Sequence, residues 1–282
     1  MHIQQFKKYF YSELSEHYPK TEIQSFFNLL TKFQLRLNRA EVILQPTFEI
    51  KTIDLSFLLN ALSELKSHKP IQYILGKTKF YDLDFNVNEH VLIPRPETEE
   101  LVDWIVHDFR KERSLKILDI GTGSGCIAIS IAKNLPNAEV FAIDVSSEAL
   151  QVAQKNMTLN KVNVQFMEVD ILSLKKLPHL FDVIVSNPPY VRELEKEKME
   201  KNVLENEPHL ALFVKDNNPY IFYDKISEFA KKHLTKKGTL YFEINQYLGD
   251  NTVEILKAKG FNKIELKRDL FNKDRMIKTS IH

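Results

Sequence analysis

The segment Asn187-Pro188-Pro189-Tyr190 follows directly on the apolar run FDVIVS, and taken alone its residue types suit a rigid turn at a strand exit as well as they suit chemistry. Neither proline carries an N–H, and a residue ahead of a proline is held extended. The segment therefore offers the Asn187 side-chain oxygen and the Pro188 carbonyl, with no competing backbone donor before Tyr190. Two adjacent acceptors fit a planar –NH₂ with two hydrogens to give. An amide or an aromatic amine is a poor nucleophile because its lone pair is delocalised. Acceptors on both hydrogens help the nitrogen turn tetrahedral and stabilise its charge as an electrophile arrives. Asn187, Pro188 and Tyr190 are thus the expected catalytic residues. Together with Pro189 they form the expected substrate shelf, with Tyr190 stacking on the flat group to exclude water.

A second constellation is LKILDIGTGSGCIAI. The chain has only 7 glycines, and Gly121, Gly123 and Gly125 crowd into one strand-to-helix junction. This is the setting in which a glycine loop recognises a nucleotide. The G-x-G-x-G spacing puts the third glycine one residue early for a dinucleotide fingerprint, and no Gly-Lys-Ser/Thr phosphate loop is present. Asp144 closes AEVFAIDV and Asp170 closes VQFMEVD, at strand tips where an acid accepts ribose hydroxyls. An acid-lined site without a phosphate clamp suits an adenosine-bearing, positively charged cofactor. S-adenosyl-L-methionine meets that description, and no metal is called for.

These residues need a frame. LKILDIG, AEVFAIDV, VQFMEVD, FDVIVSN and TLYFEIN are almost continuously apolar and read as strands covered on both faces. Amphipathic stretches alternate with them, CIAISIAKNL, SEALQVAQKNMTLN, YIFYDKISEFAKKHL and TVEILKAKG. Strand-helix alternation implies an α/β domain with a mostly parallel, doubly wound sheet, and IELKRD with RMIKTSI reads as a closing antiparallel pair. Ligands of such sheets bind beyond the carboxyl ends of the strands, near the switch point. Ahead of this domain, residues 1–76 carry helical spacing in FKKYFYSEL, TEIQSFFNLLTKF and DLSFLLNALSEL, with Thr21 and Asp54 as expected N-caps. FYDLDFNVNEHVLI reads as a hairpin turning at its Asn-Glu pair. It links the small helical domain to PRPETEELVDWIVHDF, a helix with acids in its first turn and Trp104 packed in it. The expected organisation is a helical domain at 1–76, a β-hairpin linker at 77–95 and a catalytic domain at 96–282. ELEKEKMEK at 193–201 reads as a solvated face.

Composition narrows the partners. Hydrophobic residues at 43% and charged residues at 27% are those of an ordinary globular protein. A net charge of +1 supplies no global attraction to a phosphate backbone. Cys126 stands alone, no apolar window is long enough to span a bilayer and no leader pattern opens the chain, so a cytoplasmic setting is expected.

The corner Asn187 to Tyr190 with the loop Gly121 to Gly125 resembles amino-methylating S-adenosylmethionine-dependent methyltransferases. PIQYILG at 70–76, FYDLDFNVNEHVLIPRPETEELV at 80–102 and NEPHLAL at 206–212 are similar to the release factor glutamine methyltransferase family, the HemK/PrmC type. The resemblance implies a Rossmann-like, seven-stranded class I methyltransferase domain behind a helical substrate-recognition domain. It implies methylation of the side-chain nitrogen, N5, of the glutamine in the Gly-Gly-Gln motif of peptide chain release factors. By motif match, Asp119, Gly121, Thr122, Gly123, Ser124, Gly125, Asp144, Asp170, Ile171 and Asn187 would bind the cofactor, and Asn187, Pro188, Pro189 and Tyr190 the glutamine amide. Arg95 and Glu97 match a family motif near the site. Asn245 and Asn272 stand where the family has glycines. The expected partner is a release factor met by a monomer, with neither nucleic acid nor membrane involved. The alternatives are a ribosomal-protein glutamine and, in a different substrate class, the N6 of adenine in nucleic acid, which would want a basic region with stacking aromatics.

Overall fold

The computed structural model describes residues 1–112 and 114–281. The chain forms two compact units, one of residues 1–76 with 200–206, the other of residues 77–199 with 207–282.

The first unit holds α1 (Ile3–Leu14), α2 (Lys20–Leu30), α3 (Arg39–Leu44), α4 (Thr52–Lys66) and α5 (Ile71–Leu75). Their apolar stripes meet in one core in which Phe27 packs on Phe6 and Phe10 at centroid distances of 6.2 and 5.7 Å. Neither expected cap holds its helix. α2 begins after Pro19 and α4 after Lys51, each one turn or less ahead of the residue read as a cap. Asp54 instead accepts from Gln34 Nε2 at 2.8 Å.

The second unit opens with β1 (Lys77–Phe80) and β2 (Leu83–Asn86), an antiparallel hairpin. It turns at Tyr81-Asp82, not at Asn88-Glu89. Both turn residues have positive φ, 49° and 61°, the conformation a tight two-residue hairpin requires. Tyr-Asp is a weak signal for that turn. Asn88 makes a local turn of its own, its Oδ1 accepting from His90 N at 3.2 Å.

There follow α6 (Pro96–Phe109), β3 (Leu115–Ile120), α7 (Cys126–Asn134), β4 (Ala138–Asp144), α8 (Ser147–Asn160), β5 (Gln165–Glu168), β6 (Phe181–Ser186) and β7 (Val191–Arg192). α9 (Lys201–Asn206) belongs to the first unit, where Asn206 Nδ2 donates to the His68 carbonyl at 3.2 Å. Then come α10 (His209–Leu212), β8 (Phe213–Val214), α11 (Ile221–His233), β9 (Leu234–Glu243), α12 (Gly249–Ala258), β10 (Asn262–Arg268) and β11 (Asp274–Ser280). The seven-stranded sheet runs β10-β11-β9-β6-β3-β4-β5. The five strands from β9 to β5 are parallel, and β11 lies antiparallel between β9 and β10.

Alternate residues feed two cores. Ile117, Val183 and Val185 face the layer of α6 and α7, while Leu118, Ile184 and Phe242 face that of α11 and α12. Trp104 packs edge-on against Tyr241 at 5.6 Å. Among the described residues no helix is long and apolar enough to cross a membrane.

The strand order reverses between β3 and β6. Ile120 and Ser186 are in register there, and Ser186 Oγ donates to the Ile120 carbonyl at 2.7 Å. The glycine loop leaves β3 and the Asn-Pro-Pro shelf leaves β6 from the same point of the edge, where doubly wound sheets open a crevice.

Candidate active site

That crevice is a cavity of about 230 Å³. The loop from Gly121 to Ser124, the acids Asp144 and Asp170 with Ile171, and the shelf from Asn187 to Pro189 all line it. Asp119, Gly125 and Tyr190 do not.

The glycine loop keeps its shape through its neighbours. Gly123, at φ 53°, donates its N–H to Asp144 Oδ2 at 2.8 Å. Gly125, at φ 80°, caps α7, and a Cβ there would lie 2.8 Å from Ile129 Cδ1 and 3.1 Å from Ala153 Cβ. Asp119 is fully buried behind the loop and accepts from Thr122 Oγ1 at 2.6 Å. Burial pushes its carboxyl up to about 7, against the pull of that hydroxyl. Asp119 supports the loop from behind.

Asp144 takes a second backbone donor, Ser146 N at 3.0 Å on Oδ1. It is not the cap of α8. Ser146 does that, its Oγ accepting from Ala149 N at 3.1 Å. Each Asp144 oxygen keeps a lone pair for a further donor, and burial raises the carboxyl above its ordinary range. Asp170 Oδ1 accepts from Leu172 N at 2.8 Å. Arg95 is the one lysine or arginine among the described lining residues, and Glu207 Oε1 holds it at 2.6 Å. Glu207 is itself buried, and its Oε2 accepts from Ile93 N at 3.2 Å. With its cation tied down, the cavity keeps three acids, Glu89, Asp144 and Asp170, a poor place for a pyrophosphate and a good one for hydroxyls and positive charge. Cys126 also lines it, but burial pushes its thiol up to about 12, so it stays protonated.

On the shelf, Asn187 Nδ2 donates to Thr98 Oγ1 at 3.3 Å. Thr98 Oγ1 in turn donates to Glu243 Oε2 at 2.6 Å. Tyr190 is anchored by its hydroxyl, which donates to Glu243 Oε1 at 3.0 Å, and it is not among the residues that line the cavity. Burial, with the adjacent Glu243 charge, holds that phenol well above its ordinary range.

Two family models match the chain, Methyltransferase small domain over residues 101–269 and PrmC N-terminal domain over residues 7–76. The release factor glutamine methyltransferase of Flavobacterium psychrophilum is 54% identical, covering 99% of each chain. That of Bacteroides thetaiotaomicron is 41% identical over 95% of this chain and 96% of its own. This chain belongs to the release factor glutamine methyltransferase family. It is an enzyme, a methyltransferase with the class I fold. A methyltransferase structure from Pyrococcus furiosus, 18% identical, shares that fold at a TM-score of 0.52, covering 82% of this chain and 99% of its own.

Against the family pattern, both departures have a structural reading. Asn272 adopts φ 60°, the left-handed region that asparagine enters more readily than most residues, so the backbone there has the conformation glycine would give it. Asn245 needs no glycine conformation, since it is not among the positive-φ residues. It is buried, and its Nδ2 donates to the Tyr190 carbonyl at 3.0 Å and to Glu195 Oε2 at 3.1 Å. Glu195, read in the sequence as part of a solvated face, also accepts from Arg192 Nε at 3.0 Å.

Thr98, Glu243 and Asn156 escaped sequence reasoning. Fully buried Asn156 donates to the Ser124 and Asn86 carbonyls at 2.9 and 3.0 Å, and its Oδ1 accepts from Asn86 N at 2.6 Å, tying hairpin to glycine loop. The available signal was a short polar residue inside an otherwise well-formed helix, where such side chains are neutral to unfavourable.

Proposed function

We propose that the enzyme transfers the methyl group of S-adenosyl-L-methionine to N5 of the glutamine in the Gly-Gly-Gln motif of peptide chain release factors. The observation that carries this reading is the shared cavity. The acids that suit an adenosine, at the tips of β4 and β5, and the donor-free shelf that suits an –NH₂, at the tip of β6, line the same space at one edge of the sheet.

In this reading Asp144 receives the ribose hydroxyls, Asp170 and Ile171 border the adenine, and the loop from Gly121 to Ser124 approaches the amino-acid part. The cofactor supplies an electrophilic methyl group on sulfur. Asn187 Oδ1 and the Pro188 carbonyl accept the two amide hydrogens of the glutamine. They would stabilise positive charge on nitrogen as its new C–N bond forms at the expense of the methyl–sulfur bond, which leaves S-adenosyl-L-homocysteine, until the nitrogen gives up one proton to water. This is an electrostatic role of the oxyanion-hole kind with the sign reversed. Pro189 adds a wall without a donor, and Tyr190, anchored from behind, fixes the end of the shelf. The names of the relatives support a release factor as partner, and the helical unit at 1–76 is its proposed recognition domain. The hairpin at 77–95 is the proposed linker and 96–282 the proposed catalytic domain. A single copy of the chain suffices for this site, whose lining comes from one unit.

Purified protein with methyl-labelled cofactor is expected to label a release factor at its Gly-Gly-Gln glutamine and to leave the Gln→Ala variant unlabelled, as read by mass spectrometry. Equal labelling of both overturns the assignment.

A further inference from the structure

The direction of hydrogen bonding behind Asn187 determines which end of its carboxamide is left for a ligand. Glu243 is almost fully buried. As a carboxylate it only accepts, and it receives Thr98 Oγ1–H at 2.6 Å and Tyr190 O–H at 3.0 Å. A threonine hydroxyl has one proton. Once that proton points at Glu243, Thr98 has only lone pairs for its other neighbour, and that neighbour is Asn187 Nδ2 at 3.3 Å.

We propose that Thr98 and Glu243 are positioning residues which lock the Asn187 carboxamide with its nitrogen turned inward and Oδ1 presented to the substrate. Rotating the carboxamide by half a turn would set Oδ1 against the lone pairs of Thr98 and offer an –NH₂ to the incoming –NH₂. Both contacts would be repulsive, so the two-residue relay specifies an acceptor where an asparagine alone is ambivalent. The relay also accounts for a buried acid, Glu243, that meets no substrate in the proposed chemistry. Its oxygens are spent on Thr98 and Tyr190, one on each side of the shelf. This inference rests on the reading of Asn187 as an acceptor for the substrate amide.

The test has a kinetic and a spectroscopic arm. Thr98→Val keeps the shape and removes the hydroxyl, and Thr98→Ser restores it. Glu243→Gln can turn its own –NH₂ toward Thr98 and release the threonine proton toward Asn187. At saturating cofactor, Thr98→Val and Glu243→Gln are each expected to lower kcat for release-factor methylation about tenfold, the equivalent of about 1.4 kcal/mol. KM should change by less than about threefold, and Thr98→Ser should recover most of the loss. Without any substrate, the Asn187 side-chain ¹⁵N–¹H pair, assigned by its absence in Asn187→Ala, is expected to show one proton slow to exchange with solvent. That protection should vanish in Thr98→Val and persist in Thr98→Ser. Wild-type kcat in Thr98→Val, or two fast-exchanging protons on Asn187 in the wild-type enzyme, overturns the proposal. Loss of kcat that Thr98→Ser does not rescue also overturns it. Should the wild-type enzyme leave release factors unmethylated, the functional reading falls by itself, and the exchange measurement still decides whether the relay exists.

Discussion

The two halves of the cavity are built by different means. On the side of β3, β4 and β5, Asp144 and Asp170, which line the cavity, are held by backbone N–H groups between 2 and 21 residues away. Asp144 takes Gly123 N and Ser146 N, and Asp170 takes Leu172 N. On the side of β6 and β9, the polar groups are held by side chains that meet across large stretches of chain, Asn187 with Thr98, Thr98 with Glu243, and Asn245 with the Tyr190 carbonyl. In the proposed function the first half would hold a ligand with a recurring shape, for which loop geometry suffices. The second must fix one amide orientation, which backbone alone cannot do.

The sharpest way to separate the halves is Asn187→Ala. It should lower kcat by about 10²–10³, by comparison with the removal of an oxyanion-hole group, while cofactor affinity changes far less. A variant with full activity would remove the shelf from the mechanism. Asp144→Ala is the converse. Losing two charge-assisted hydrogen bonds on the protein and those to a ribose should raise the cofactor Kd about 10- to 100-fold by calorimetry. Its Kd should suffer more than its kcat, and the opposite pattern would erase the distinction between the halves. Asn245→Gly tests the smallest effect. It restores the family's residue but removes a donor from the Tyr190 carbonyl, and is expected to cost about 1 kcal/mol in chemical denaturation. Unchanged stability would mean that Asn245 is a passive replacement.

The same division explains what could be read from the sequence. Strand-helix alternation disclosed the catalytic fold, since β-branched runs and amphipathic helices each carry their own period. The glycine loop, Asp144, Asp170 and the shelf were legible because each is a short word at a strand tip. The hairpin was misplaced at its turn because Tyr81 and Asp82 adopt positive φ without the Asn-Gly or Asp-Gly chemistry that announces it. The anchor of Tyr190 is not legible, because Glu243 lies on another strand. Thr98 and Glu243 were invisible for the same reason. In PRPETE a threonine among acids reads as an ordinary helix start, and in TLYFEIN a lone glutamate within a covered strand gives no sign of its partner. Only the fold turns them toward each other.

The Thr98–Glu243 hydrogen bond spans 145 residues of sequence. Contacts of that range carry the larger loop-closure cost, and they are expected to form after those of shorter range. The contacts of the glycine loop reach across far less chain, 21 residues from Gly123 to Asp144 and 32 from Ser124 to Asn156. On the proposed function, a chain partway through folding would then assemble the cofactor side of the cavity before the substrate side. In a refolding preparation, cofactor binding would recover ahead of turnover, and bound cofactor would overcount the molecules that work.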